Sequence, residues 1–123
     1  METFKIAIKP LGEAYREFEE TYQALEAGKP ATKHEGVYFT SLNAARKLLT
    51  QERLSLLRVI REKQPTSIYE LARLIGRDLK NVQEDLALLH SHGLVRLRQR
   101  KDNRRGAKVP EVPFQEIALS ISL

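Results

Sequence analysis

The stretch ELARLIGRDLKNVQEDLALL, residues 70–89, would form one continuous helix if Gly76 and Asp78 did not interrupt it. Ser67 lies three residues before a glutamate, the spacing of a capping box, which predicts a helix beginning just after this serine. Gly76 favours the left-handed conformation that ends helices, and Asp78 is a residue type that caps the next one. The stretch therefore predicts two short helices joined by a tight turn, the second covering about residues 78–91.

The residues before this stretch predict two further helices. Ser41 can cap SLNAARKLL, and Thr50 can cap QERLSLLRVIREKQ, which Pro65 stops. Apolar residues at helical spacing indicate which sides of the helices face a core. In the helix after Thr50 they are Leu54, Leu56, Leu57 and Ile60, and in the helix after Asp78 they are Leu79, Val82, Leu86 and Leu89.

The residues after Gly93 predict a β-hairpin. LVRLRQR, residues 94–100, alternates apolar and basic side chains, and KDNRRG is rich in turn residues. AKVPEVP can return as an edge strand, because its prolines deny a neighbouring strand its hydrogen-bond donors. We therefore expect a hairpin over about residues 96–109.

Both ends of the sequence predict strands. TFKIAIK near the start and FQEIALSISL at the end alternate apolar and polar residues, and each is the obvious sheet partner of the other. VYFT, residues 37–40, is also β-prone. Between them, PLGEAYREFEETYQALEAGKP predicts a helix that Gly28 and Pro30 end. Its apolar stripe, which packs either within the chain or against a second copy of it, consists of Leu11, Tyr15, Phe18, Tyr22 and Leu25.

Composition limits the class of protein. The 123 residues contain no cysteine, which excludes disulfides, thiolate metal sites and cysteine nucleophiles. The N-terminal stretch lacks the features of a signal peptide, and no apolar run is long enough to cross a bilayer. These features predict a cytoplasmic protein that has no membrane partner.

The net charge of +5 is concentrated in one segment. Residues 1–49 contain seven basic and seven acidic residues, whereas residues 94–108 contain seven basic residues and one aspartate. A local block of this kind favours a polyanion partner, although a solvated basic loop has the same composition.

The order of three helices, a tight turn before the third and a basic hairpin predicts an α+β fold, a winged helix-turn-helix. A helix fits the major groove of DNA, the preceding helix braces it, and a hairpin beside it can place arginines on phosphates or in the minor groove. We expect an N-terminal strand-helix extension over residues 1–40. The winged helix-turn-helix and its C-terminal strand would follow over residues 41–123.

Ala72, Gly76 and Val82 match the small residue, the turn glycine and the buried β-branched residue of helix-turn-helix motifs. The segment SIYELARLIGRDLKNVQEDLALLHSHGLVRL resembles the winged-helix part of transcriptional regulators in the broad MarR-like group. The longer run over roughly residues 39–113 is similar to small bacterial and archaeal DNA-binding regulators. Some of these regulators are antitoxin-like partners in toxin–antitoxin pairs, so the resemblance implies DNA binding and admits a toxin partner.

Candidate DNA-binding residues lie on both predicted helices and on the hairpin. Asn81 can pair with adenine, Lys80 with guanine or phosphate, and Arg77 with either. Glu84 opposes this interpretation unless it accepts from a cytosine amine or pairs with a lysine. The full candidate set is Ser67, Tyr69, Arg77, Lys80, Asn81, Glu84, Arg98, Arg100, Lys101, Asn103, Arg104, Arg105 and Lys108.

The sequence offers no catalytic or metal-binding pattern. His90 and His92 lack carboxylate or cysteine partners at ligand spacing, which favours a polar helix end over a metal site. No phosphate-binding loop or catalytic triad signature appears. We expect no cofactor and no enzymatic activity.

Three interpretations of the partners remain open. Double-stranded DNA and a second copy of the chain fit a dimeric regulator, whose recognition helices would lie about one DNA turn apart. A protein partner, such as an acidic toxin, could instead bind the basic hairpin. Structured RNA is a further alternative for the same hairpin.

Overall fold

The computed structural model describes residues 2–28, 36–100 and 107–123. Within these residues the chain forms an α+β fold of five helices and five strands. The helices are α1 (Leu11–Glu26), α2 (Leu42–Leu48), α3 (Gln51–Lys63), α4 (Ile68–Ile75) and α5 (Leu79–Ser91). The strands are β1 (Thr3–Ile8), β2 (Val37–Phe39), β3 (Arg96–Gln99), β4 (Lys108–Glu111) and β5 (Glu116–Ile121).

The predicted helix starts are confirmed at three serine or threonine caps. Ser41 accepts from the Ala44 amide and Thr50 from the Arg53 amide, both at 3.2 Å. Ser67 caps α4 by accepting from the Glu70 amide at 3.0 Å. Asp78 occupies the N-cap position of α5, but its side chain makes no capping hydrogen bond.

The predicted hairpin is confirmed as β3 and β4, which pair antiparallel with Leu97 opposite Pro110. The two terminal strands also pair, as expected, and they do so in parallel, with Phe4 opposite Ile117. Strand β1 is the centre of a sheet of order β2-β1-β5. The C-terminal strand therefore completes a sheet that the N-terminal segment begins.

The core lies among α3, α4, α5 and the start of the hairpin, where Leu56, Leu71, Leu86, Leu89 and Leu94 are all at most 1% exposed. The sheet lies against this core through the partly buried residues Phe4, Phe39 and Ile117. The Phe4 ring lies 5.2 Å from the Phe114 ring, and the Phe39 ring stacks on His92 at 5.8 Å. The first contact joins β1 to the segment between β4 and β5, and the second joins β2 to the C-terminal end of α5.

Every helix in the described part of the chain is too short or too polar to span a lipid bilayer.

Candidate nucleic-acid interface

The turn between α4 and α5 has the left-handed residue that the sequence predicts. Gly76 adopts φ +75° and ψ +33°, and its amide donates to the Ala72 carbonyl at 2.9 Å. The Arg77 amide donates to the same carbonyl at 3.1 Å. Only glycine adopts this conformation without a steric penalty, so the turn fixes the angle between the two helices.

Helix α5 buries one side and leaves a polar side open. Val82, Leu86 and Leu89 are at most 1% exposed. Lys80, Asn81 and Glu84 are all exposed, as the sequence predicts. Gln83, which the sequence reasoning missed, and Ala87 are exposed beside them. Within the described residues the Glu84 carboxylate makes no ion pair, so the middle of this surface carries an uncompensated negative charge.

Arg77 does not join this exposed surface. Its Nη2 donates to Asp85 Oδ2 at 2.9 Å, and its Nη1 is buried without a hydrogen-bond partner. The other oxygen of Asp85 accepts from Arg53 Nε of α3 at 3.2 Å. Arg77 therefore lies apart from Lys80 and Asn81, the two α5 residues with which the sequence grouped it.

The Asp85 carboxylate connects four parts of the structure. Arg53 also donates to the Lys47 and Leu48 carbonyls at the end of α2, at 2.6 and 3.1 Å. The side chains of Arg53, Arg77 and Asp85 are 15–27% exposed, so solvent only partly screens their charges. The network ties α2, α3 and the α4–α5 turn to the middle of α5.

The start of α4 holds a hydrogen-bonded carboxylate. The Thr66 hydroxyl donates to Glu70 Oε2 at 2.6 Å, and the Thr66 amide donates to the same oxygen at 3.4 Å. The hydrogen bond from the Thr66 hydroxyl lowers the pKa of Glu70, and the bond from the Thr66 amide lowers it by a smaller amount. The charges of Arg73 and Arg100 lower this pKa more weakly. Ser67 and the exposed Tyr69 lie beside this carboxylate, which reduces the attraction of the helix start for a phosphate.

The hairpin presents its arginines on one side. Arg96 and Arg98 are exposed. Leu97, which lies between them, and Pro110, which lies opposite Leu97 on β4, face the core. Arg98 Nε pairs with Glu111 Oε1 at 3.0 Å, and both side chains are nearly half exposed. Arg100 is half-buried near Glu70. Lys108 is exposed in β4.

A groove of about 400 Å³ brings the hairpin together with the end of α3 and the segment before α4. Its lining includes Thr66, Arg96 and Arg98. It also includes Arg61, whose guanidinium donates to the Phe114 carbonyl at 2.7 Å. Sequence reasoning left Arg61 and Arg96 out of the candidate set. Arg96 could have been found, because the alternation of LVRLRQR places it on the same side of the strand as Arg98. Arg61 could not, because no local sequence pattern indicates that α3 brings it next to the hairpin.

Ser67 and Tyr69 line a different, shallow groove on α4, together with Glu70, Arg73 and Leu74. Four predicted DNA-binding residues at the hairpin tip lie outside the described residues: Lys101, Asn103, Arg104 and Arg105.

Both histidines near the end of α5 contact the backbone. His90 Nδ1 lies 3.0 Å from the Val95 carbonyl and His92 Nδ1 lies 3.0 Å from the Leu88 carbonyl. A carbonyl oxygen only accepts, so each Nδ1 carries the hydrogen. These contacts fit the polar helix end that the sequence favours.

A family model, HVO_A0114, matches residues 48–119, which is more than half of the chain. The chain belongs to the HVO_A0114 family. The HVO_A0114 match covers α3, α4, α5, the hairpin and most of β5, whereas β1 and α1 precede it. No curated protein matches the chain in sequence.

Proposed function

We propose that residues 51–111 form a winged helix-turn-helix that binds double-stranded DNA, and that the protein is a cytoplasmic transcriptional regulator. In this proposal α5 enters the major groove and the hairpin lies on phosphates or in the minor groove. The observation that carries it is the exposed polar side of α5, placed between a rigid glycine turn and a hairpin whose arginines point to solvent.

The chemistry of α5 suits a helix that contacts bases near its N-terminus. Lys80 and Asn81 lie in its first turn, exposed, and an asparagine amide can pair with the N6 and N7 atoms of adenine. Arg77 has a positioning role, because its pairing with Asp85 ties the α4–α5 turn to the middle of α5, and Arg53 of α3 binds the same carboxylate. A recognition helix held in advance loses less conformational entropy when it binds.

The hairpin supplies most of the electrostatic attraction. Residues 94–108 carry seven basic side chains and one aspartate, a net charge of +6. Arg98 is partly neutralised by Glu111, so its contribution is smaller than that of an unpaired arginine. If about five phosphates are neutralised for each chain, the slope of log K against log salt is about −4 to −5.

A second function, binding of a protein partner, is favoured by one side of the α4–α5 pair. Glu84 places a negative charge where DNA would place phosphates. Tyr69 and Leu74 of α4 are 62% and 49% exposed, which is more typical of a surface that contacts protein. An antitoxin-like protein could use this surface for a toxin and the basic hairpin for DNA.

The experiment that tests DNA binding is a fluorescence-anisotropy titration of the protein into a pool of labelled genomic duplexes over a series of salt concentrations. An Arg104→Ala/Arg105→Ala variant removes two charges from the hairpin tip, and an Arg46→Ala/Lys47→Ala variant removes two from the exposed side of α2. We expect the hairpin variant to reduce the salt slope by about 2 and the α2 variant to leave it unchanged. Absence of binding at low salt, or equal loss in both variants, would overturn the proposal.

Glu84→Gln separates the two functions, since it removes charge from the exposed side of α5 without shortening the side chain. If α5 faces DNA, the variant binds duplex more tightly, because a phosphate-repelling carboxylate is gone. Unchanged DNA affinity, with loss of a co-purified protein partner, would favour the second function. An unlabelled RNA hairpin that competes better than duplex DNA would favour RNA instead.

A further inference from the structure

Helix α1 leaves most of its apolar stripe uncovered by the described part of the chain. The side that contacts the sheet is formed by Ala14, Glu17 and Thr21, and Glu17 pairs there with Lys9 at 2.7 Å. The stripe occupies the neighbouring side of the helix and is open to solvent. Its exposed fractions are 54% for Leu11, 66% for Tyr15, 71% for Phe18, 55% for Tyr22 and 62% for Leu25.

The exposed area is large enough for a stable interface. Three aromatic and two leucine side chains that are more than half exposed offer on the order of 600 Å². Few monomeric proteins leave a larger apolar patch open to water. Two such patches in contact would bury at most about 1,200 Å², the lower end of the range of specific protein–protein interfaces.

The order of residues in the stripe is the same in both directions: Leu, Tyr, Phe, Tyr, Leu. We propose that α1 pairs antiparallel with α1 of a second copy. The two-fold axis that relates the two helices passes between their Phe18 side chains. Phe18 then meets Phe18 of the second copy, and Leu11 meets Leu25. Tyr15 meets Tyr22 within one residue, about 1.5 Å along the axis. A two-fold interface requires such self-complementarity, which a patch for an unrelated partner does not.

The stripe continues onto the sheet. Phe18 and Tyr38 of β2 line one groove of about 360 Å³ between α1 and the sheet, and Tyr38 is 52% exposed. The sheet in turn contacts the end of α5 through Phe39 and His92. Pairing of α1 would therefore set the separation of the two α5 helices.

Cysteine cross-linking tests the pairing and its direction, because the chain contains no cysteine of its own. We expect Phe18→Cys to form a disulfide-linked dimer under mild oxidation at micromolar concentration. Leu11→Cys is the matched control. In the antiparallel arrangement two copies of residue 11 lie about 21 Å apart, too far for a disulfide. A mixture of Leu11→Cys and Leu25→Cys proteins should cross-link.

Equal cross-linking of Leu11→Cys and Phe18→Cys would overturn the antiparallel arrangement. Because Phe18→Cys itself removes a ring from the interface, absence of cross-linking both in Phe18→Cys and in the mixture of Leu11→Cys with Leu25→Cys would overturn the pairing itself. All three residues are exposed, so the substitutions leave the core unchanged.

Sedimentation equilibrium gives an independent measurement. We expect Phe18→Ser to raise the dissociation constant of the dimer about 100-fold, as loss of a central interface aromatic does. Leu119→Ser is the control, because Leu119 is also exposed, at 48%, but belongs to the opposite edge of the sheet. A wild-type protein that is only monomeric, or dissociation by Leu119→Ser alone, would overturn the proposal.

These measurements use no DNA, so the pairing and the proposed function can fail separately. A monomer that binds duplex would overturn the pairing and leave DNA binding intact. A dimer that binds no duplex would overturn the proposed DNA binding and leave the pairing of α1 intact.

Discussion

Helices α5 and α1 have the same kind of sequence pattern and opposite environments. Both repeat apolar residues at spacings of three and four. In α5 the repeat is buried, and Leu86 is 1% exposed, whereas in α1 the central Phe18 is 71% exposed. Periodicity predicts that a helix has an apolar side, but the rest of the fold decides whether the same chain covers it.

The residue types of the two stripes agree with this difference. The α5 stripe is aliphatic and small enough to pack among leucines of α3 and α4. The α1 stripe contains two tyrosines, whose hydroxyl groups need water or a hydrogen-bond partner. Tyrosine is also enriched at protein interfaces, as expected for a surface that is wet in one state and covered in another.

The largest expected effect separates the two stripes directly. Leu86→Ala should lower the free energy of unfolding by about 3 kcal/mol, because it leaves a cavity in the core. Phe18→Ala should change it by less than about 0.5 kcal/mol when the protein is monomeric. Urea unfolding at low protein concentration measures both, and similar losses would show that the α1 stripe packs within the chain.

The second largest expected loss of stability concerns Asp85, whose carboxylate pairs α5 with Arg53 and Arg77. Asp85→Ala should lower the free energy of unfolding by about 2 kcal/mol, because it leaves the Arg53 and Arg77 guanidinium groups facing each other without a carboxylate. The neighbouring Glu84→Ala is the control and should cost less than about 0.5 kcal/mol. If both variants lose the same stability in urea, the network does not hold the helix.

The helix starts provide a smaller effect. Helix α1 begins after Pro10 with no side-chain cap, whereas α4 begins with the Ser67 cap. Ser67→Ala should therefore cost about 1 kcal/mol. Ser55→Ala, in the exposed interior of α3, should be neutral or slightly stabilising, because alanine is the better helix former. Thermal unfolding that ranks the two variants in the other order would contradict the capping role.

The smallest effect concerns the pKa of Glu70. The Thr66 hydroxyl lowers this pKa below its ordinary value near 4.5, so Thr66→Val should raise it toward that value. A lowered folded-state pKa contributes stability above the ordinary pKa, and this contribution is lost as the pH falls through the folded-state pKa. The difference in stability between wild type and Thr66→Val should therefore shrink in acid. NMR titration of the carboxyl carbon measures the pKa, and an unchanged value would contradict this assignment.

Local chemistry made much of the fold predictable. The caps at Ser41, Thr50 and Ser67 and the left-handed Gly76 each depend on residues within four positions along the chain. The alternation after Gly93 likewise predicted the hairpin. These features follow from short-range hydrogen bonding and steric preference, which the sequence displays directly.

Long-range contacts explain what could not be predicted. The position of Arg77 just before α5 predicts a contact with DNA. In the structure its side chain pairs with Asp85, and the same carboxylate pairs with Arg53, which lies 32 positions away from Asp85 in the chain. Arg61 reaches carbonyl groups more than 50 positions away. Even the short contact of Glu70 differs from a capping box, in which the glutamate would accept from the Ser67 amide, because Glu70 accepts from the hydroxyl and the amide of Thr66. Such choices depend on where the fold places each competing partner.

The pairing of β1 with β5 also has a consequence for the order of folding. Phe4 and Ile117 are opposite each other in the sheet but 113 positions apart in the chain. The loop that this contact closes contains all five helices, whereas α3, α4 and α5 meet through much shorter loops. Contacts between distant segments form late, because loop-closure entropy must be overcome first. We therefore expect the helices to fold first and the parallel sheet to close around them as the last and slowest step.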